Sequence, residues 1–180
     1  MSTILRSLQR LLKLLEGKNV AYMIIGGYAL PLYGRIRTTL DIDLAVAIKT
    51  DEEIKQILRW LQSIDFEVTN YSPQNPLIII VDRREELEVE LWLKPDGIVF
   101  DKETLRRRRR AKLDENTEAW IISPEDFIVN KLARPDRGAV DEQDVKSVLV
   151  RQGDKLDRRY LNKRARDAEV IKVLESIQAL

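Results

Sequence analysis

Two glycines at the end of one apolar run, with two aspartates opening the next, restrict this chain more than any other feature. Val20-Ala21-Tyr22-Met23-Ile24-Ile25 has the length and composition of a strand. Gly26 and Gly27 follow, and glycine lets backbone approach a ligand with no side chain in the way. Tyr28 to Tyr33 reads as a short helix, with Pro31 tolerable only near a helix start. A helix opening at Gly27 aims free N–H groups outward, an arrangement suited to phosphate. Asp41 to Ile48 then reads as the partner strand. Alternation places Asp41 and Asp43 on one face, about 7 Å apart at two strand rises. Ionised carboxylates that close raise one another's pKa unless a cation lies between them. Mg²⁺ takes oxygen ligands and is held by one or two carboxylates plus substrate phosphates; a metal pair there would clamp an in-line displacement. An Asp-x-Asp pair alone also suits an exposed strand edge charged for solubility. The upstream glycine pair and the intervening Arg35 and Arg37 favour a site.

Composition removes several rivals. The chain of 180 residues has no cysteine and no histidine. A disulfide framework, a thiol nucleophile, a Ser-His-Asp triad and a histidine-ligated zinc are therefore excluded. Any general base is a carboxylate, Lys or Tyr, or a metal does that work. Lys and Arg number 31 against 30 Asp and Glu, a net charge of +1 that demands neither nucleic acid nor an anionic membrane as partner. No run approaches a membrane span and no signal-peptide pattern opens the chain, so a cytoplasmic location is expected.

Gly26-Gly27, thirteen residues, then Asp41-Ile42-Asp43 resembles the signature of the polymerase-beta-like nucleotidyltransferase superfamily. The fuller run, with Tyr33-Gly34, Arg37 and Thr39, is similar to its small bacterial and archaeal branch, which includes abortive-infection and toxin-type members of toxin–antitoxin pairs. The resemblance implies a nucleotidyltransferase fold of α/β (α+β) class: a mixed sheet flanked by helices. It also implies Mg²⁺ dependence, with one or two ions and Mn²⁺ as a substitute, and transfer of a nucleoside monophosphate from a nucleoside triphosphate such as ATP.

A third carboxylate is expected on Leu87-Glu88-Val89-Glu90-Leu91-Trp92-Leu93, which alternates strictly, with both glutamates on one face. Neighbouring strands lie about 4.8 Å apart, so an acid here can reach a metal held by Asp41 and Asp43. Val89-Glu90-Leu91 resembles the family's third-acid position, commonly aspartate. Glu90 is the choice and Glu88 the reserve; a solvated sheet face is the plain alternative.

The remaining elements follow from local signals. Ser2 caps a helix with leucines at helical spacing, stopped by Gly17. Thr50 to Glu53 is a capping box opening a second amphipathic helix. Short strands are expected at Glu67 to Asn70, Leu77 to Val81 and Trp120 to Ile122. Asp101 to about Arg110 reads as helical, carrying most of the Arg106 to Arg110 run. Those arginines suit phosphate or RNA contact, but a solvated face paired with nearby acids is the commoner meaning of a charge block. Ser123-Pro124-Glu125-Asp126 starts another helix. Lys131 within it resembles the lysine small family members keep there, which would make it a point charge for the triphosphate; a surface lysine is the alternative. Asp141 and Asp144 fall on a further helix, better suited to pairing with nearby arginines than to metal binding. Gly153 ends that helix and two more follow. The pattern divides near residue 100: a catalytic core over 1–100 and a mostly helical C-terminal appendage over 101–180.

The function expected is metal-dependent nucleotidyl transfer. Asp41, Asp43 and Glu90 hold metal, Gly26, Gly27 and Thr39 seat the triphosphate, and Arg37 or Lys131 offsets charge developing on pyrophosphate. The acceptor is left open among tRNA, a protein hydroxyl and a small molecule, and a partner protein or homo-oligomer is compatible. The alternative is a catalytically silent binding module on the same fold, antitoxin-like or nucleic-acid-binding.

Overall fold

The structure, a computed structural model, describes residues 2–39 and 41–179. It comprises two compact units. The first is built from Met1–Ile24, Leu40–Lys94 and Arg109–Ile121, the second from Ile25–Thr39, Pro95–Arg108 and Ile122–Leu180.

The first unit is one seven-stranded mixed sheet with two helices. Its strands are β1 (Tyr22–Ile24), β2 (Ile42–Val46), β3 (Phe66–Asn70), β4 (Leu77–Asp82), β5 (Leu87–Trp92), β6 (Arg109–Lys112) and β7 (Glu118–Ile121), in the order β3-β4-β5-β2-β1-β7-β6. The pairs β2–β5 and β1–β7 are parallel and the others antiparallel. Strands β1 and β2 lie inside the sheet, where Met23, Ile24, Ile42, Leu44, Ala45 and Val46 have no exposed surface. Helix α1 (Thr3–Gly17) buries Leu8, Leu11, Leu12 and Leu15 along one stripe. Its Ser7 hydroxyl and the Arg10 guanidinium both reach the fully buried Asp82 carboxylate at the end of β4. Those bonds and the Arg10 charge hold Asp82 below the usual carboxylate range although burial pushes the other way. Helix α3 (Asp51–Gln62) opens on the expected capping box, with Thr50 and Glu53 exchanging bonds.

The second unit is helical: α2 (Gly26–Tyr33), α4 (Lys102–Arg107), α5 (Pro124–Ala133), α6 (Ala139–Gln152), a 3₁₀ turn at Gly153–Lys155, α7 (Arg158–Asp167) and α8 (Ile171–Gln178). Helix α5 is buried along nearly its whole length and on every side, which marks it as the unit's core. Its Asp126 accepts from Ser123 Oγ at 2.9 Å and from Tyr160 OH at 2.9 Å. Tyr160 OH in turn accepts from Arg164 Nε at 2.9 Å, and Arg164 Nη2 reaches Asp101 at 2.7 Å. Among the described residues no helix is long and apolar enough to cross a membrane.

Three local expectations differ from the structure. Helix α1 runs through Gly17, and the left-handed residue beyond it is Asn19, with φ 55°; Asn tolerates that region better than most residues. Pro31 lies in the sixth position of α2 rather than near its start, and lacking an N–H it leaves the Gly27 carbonyl without its intrahelical partner. The arginine run is not one helix. Arg106 and Arg107 close α4, while Arg109 and Arg110 begin β6. Among the described residues that strand pairs only with β7, and its basic side chains are of the kind that discourage further strand pairing at an edge.

Candidate active site

The acids expected to hold metal all belong to the first unit. Parallel pairing of β2 with β5 makes Asp43 and Glu90 register partners, flanked by the pairs Ile42–Val89 and Leu44–Leu91. Ile42, Leu44, Val89 and Leu91 are buried while Asp43 and Glu90 are half-buried, so period-two alternation brings both acids to the same side of adjacent strands. Asp41 is exposed and stands just before β2 rather than within it. Glu88, the reserve, is exposed.

Glu90 is electrostatically unusual. Burial, the Asp43 charge, a shared hydrogen bond with Asp43 and the more distant Asp41 charge push its carboxyl up to about 7, against one opposing bond from Trp92. Trp92 Nε1 donates to Glu90 Oε2 at 3.0 Å. The groups that raise Glu90 are its own burial and neighbouring acids, with no basic side chain among the groups acting on it. The all-carboxylate donor set suits a hard divalent ion such as Mg²⁺. Among the described residues no three His, Cys, Asp or Glu side chains stand close enough to hold a metal as they are.

The glycine corner belongs to the second unit. Gly26 has φ 65°, a left-handed conformation that glycine adopts without strain. Gly27 is needed for a different reason. A Cβ there would lie 2.7 Å from Thr39 Oγ1 and 3.1 Å from Arg37 Nη2, so both side chains rest against the bare Cα at the first turn of α2. The N-cap of α2 is Ile25, which offers no oxygen to the first-turn N–H groups.

The basic residues expected to meet phosphate are engaged within their own unit. Arg37 Nε stands 3.4 Å from Asp144 Oδ2. Arg35 Nε donates to Asp144 Oδ1 at 2.8 Å and its Nη1 to Gln143 at 2.9 Å. Lys131 is neither a surface lysine nor an open point charge: it is 3% exposed, with Nζ 2.9 Å from Asp141 and 3.6 Å from Asp144. Burial raises the Asp141 pKa, but bonds from Lys131 and the Gly138 N–H outweigh it and hold the carboxyl below its ordinary range. Asp141 and Asp144 thus pair with cations, a role legible in the sequence only as a preference. The arginine run is largely paired too. Arg107 reaches Asp157 at 2.8 Å and lies over the Tyr160 ring at 3.8 Å, and Arg110 reaches Glu16 at 2.6 Å. Sequence reading missed Trp92, whose indole fixes one Glu90 oxygen; its position two residues along the same strand face was the available signal.

Comparison with known proteins bears on the fold and the family. The lincosamide antibiotic adenylyltransferase LnuA in its lincomycin-bound form superposes with a TM-score of 0.53 at 17% identity, over 79% of this chain and 94% of that one. ANT(2")-Ia in complex with adenylyl-2"-tobramycin gives 0.58 at 14% identity, over 92% and 98%. An antigenic nucleotidyltransferase-like protein from Paracoccidioides brasiliensis gives 0.51 at 22% identity, over 93% and 88%. At these identities the likeness shows the nucleotidyltransferase fold. No curated protein matches the sequence significantly. Residues 4–176 match the family described as nucleotidyl transferase of unknown function (DUF2204), and the chain belongs to that family.

Proposed function

We propose that this nucleotidyltransferase moves a nucleoside monophosphate from a nucleoside triphosphate to an acceptor hydroxyl in a divalent-metal-dependent reaction. The observation that carries the proposal is the register pair Asp43–Glu90, two half-buried carboxyls on adjacent strands whose shared environment lifts Glu90 to about 7. In this reading Asp43 and Glu90, with Asp41 beside them in sequence, hold Mg²⁺. When bound, the ion supplies charge neutralisation and a lowered pKa for the attacking hydroxyl.

The chain's own residues do the rest. Glu90 and Asp43 share a hydrogen bond, and the two carboxyls would be the groups to hold the ion, whose binding would compete with protonation of Glu90. Trp92 Nε1 keeps one Glu90 oxygen oriented. Gly26 and Gly27 present the opening turn of α2 to phosphate, with Thr39 Oγ1 and Arg37 Nη2 set against Gly27 as donors. Arg37 offsets charge as pyrophosphate leaves. Lys131, paired with Asp141 and Asp144, supports this corner from within. Positioning and fixed charge supply most of the acceleration, as in other phosphoryl transfers.

ATP and a small-molecule hydroxyl are the first substrates to test, because one protein of the same fold is a lincosamide antibiotic adenylyltransferase and another is in complex with adenylyl-2"-tobramycin; a tRNA end and a protein hydroxyl are the other acceptor classes. The test is incubation with each α-labelled triphosphate, Mg²⁺ and cell extract. Label is expected in one acceptor class, dependent on metal and lost in Asp43→Asn. Labelling that persists without Asp43 would overturn the reading.

A further inference from the structure

Asp144 is a fully buried carboxylate of the second unit. Its side chain has no exposed surface, yet three cations surround it: Arg35 Nε at 2.8 Å, Arg37 Nε at 3.4 Å and Lys131 Nζ at 3.6 Å. Asp141, bonded to Lys131 at 2.9 Å, is the other acid of the cluster. Three cations against two carboxylates leave an excess of one positive charge. Arg37 is the one of the three that lies against Gly27, with 31% of its side chain accessible.

The two edges of the Arg37 guanidinium have different neighbours. Its Nε edge is turned inward to Asp144, where Arg37 Nε and Asp144 Oδ2 are both buried and, among the described residues, neither has a hydrogen-bond partner. Its Nη2 rests against Gly27. Two buried, oppositely charged atoms facing each other at 3.4 Å without a formed hydrogen bond are unusual in a settled core. The contact holds Arg37 by charge and leaves room to shorten. Helix α6 holds the approaching backbone as well: Ser147 Oγ accepts from Arg35 N at 3.0 Å, Arg151 Nη1 donates to Gly34 O at 2.6 Å, and Gln152 Nε2 donates to Tyr33 O at 3.0 Å. The segment carrying Arg37 is thus fixed from α6, and Asp144 fixes its side chain.

We propose that Asp144 is a positioning residue for nucleotide binding, holding the Arg37 guanidinium against Gly27 so that its outer edge meets a phosphate oxygen. The proposal rests on the phosphate role given to the glycine corner above. Asp144 touches no substrate; it acts through Arg37, which a guanidinium's two-edged geometry permits and an ammonium's does not.

The test is calorimetric titration of the full chain with a non-hydrolysable triphosphate analogue and Mg²⁺, for the wild type, Arg37→Gln, Asp144→Asn and the double variant. Each single substitution is expected to weaken binding roughly tenfold, the scale of one charge-assisted hydrogen bond. The double variant should bind no more weakly than Arg37→Gln alone, because Asp144 then has nothing left to position. Losses that multiply in the double variant, or wild-type affinity in Asp144→Asn, would overturn the proposal. A merely structural role would lower the melting temperature without this coupling. If Asp144→Asn does not fold, the Arg37 Nε–H resonance of the wild type decides: a resolved, slowly exchanging signal is expected, and a rapidly exchanging, averaged one contradicts it. Should the wild type bind no triphosphate, the phosphate reading fails, and the same resonance still reports whether Asp144 holds Arg37.

Discussion

Asp43 and Glu90 stand opposite each other on β2 and β5, the parallel strand pair that brings two acids side by side across about 4.8 Å of sheet. No basic side chain is among the groups that shift Glu90, and the one bond that lowers its pKa comes from Trp92. A carboxyl near neutrality on an otherwise ordinary strand face is the physical mark separating this position from a solvated edge.

The first expectation concerns that pair in the metal-free protein. Glu90 should titrate near pH 7, well above a free glutamate. Asp43→Asn removes a charge and a proton-sharing partner, so the Glu90 midpoint should fall toward the normal range while burial keeps it partly raised. Carboxyl ¹³C shifts followed over pH measure both midpoints. An unchanged midpoint in the variant would mean Asp43 is not the perturbing group.

A second expectation concerns Asp126, 1% exposed and pushed up to about 6 by burial, against lowering bonds from Ser123 and Tyr160 and the Arg164 charge. A carboxyl raised in the folded state binds its proton more tightly there than in the unfolded chain. Its contribution to stability is therefore complete below about pH 4 and is lost as pH rises through 6. Tyr160→Phe removes a donor to the carboxylate and should carry that loss to higher pH. At pH 7 it should cost about 1–3 kcal/mol for the buried groups left unpaired. Urea unfolding of both proteins across pH 4–8 checks the sign and the size.

Gly27→Ala tests the close approach at the opening of α2. Alanine is the better helix former by about 1 kcal/mol, but its Cβ would meet Thr39 Oγ1 at 2.7 Å. Displacing Thr39 and Arg37 should outweigh that gain, giving a net loss of about 1–3 kcal/mol and weaker triphosphate binding. A melting temperature and affinity equal to the wild type would show that the corner gives way freely.

Much of this was legible in the sequence, and the reasons can be named. The alternation of Leu87 to Trp92 set Glu90 apart from its apolar neighbours, and the run from Gly26 to Asp43 marked a corner and a strand. Strand β6 was not legible because Arg109-Arg110-Ala111-Lys112 lacks apolar alternation; its pairing with Glu118 to Ile121 defines it instead. That Asp144 would pair with arginines was expected, but which arginines was hidden for another reason. The cluster joins Arg35 to a residue 109 positions away, and no local pattern encodes a contact at that separation. The burial of Lys131 follows from the same long-range packing, since α5 is covered on all sides and its one lysine needs internal acids.

The most direct measurement is transfer of label from an α-labelled nucleoside triphosphate in the presence of Mg²⁺, comparing the wild type with Asp43→Asn and Glu90→Gln and verifying folding by circular dichroism. Transfer by the wild type, its loss on chelation, and a fall of at least about a hundredfold in each folded variant are expected, the scale of removing one key electrostatic group. Transfer at wild-type rate by either folded variant would contradict the assignment of the β2–β5 acid pair as the metal-holding centre.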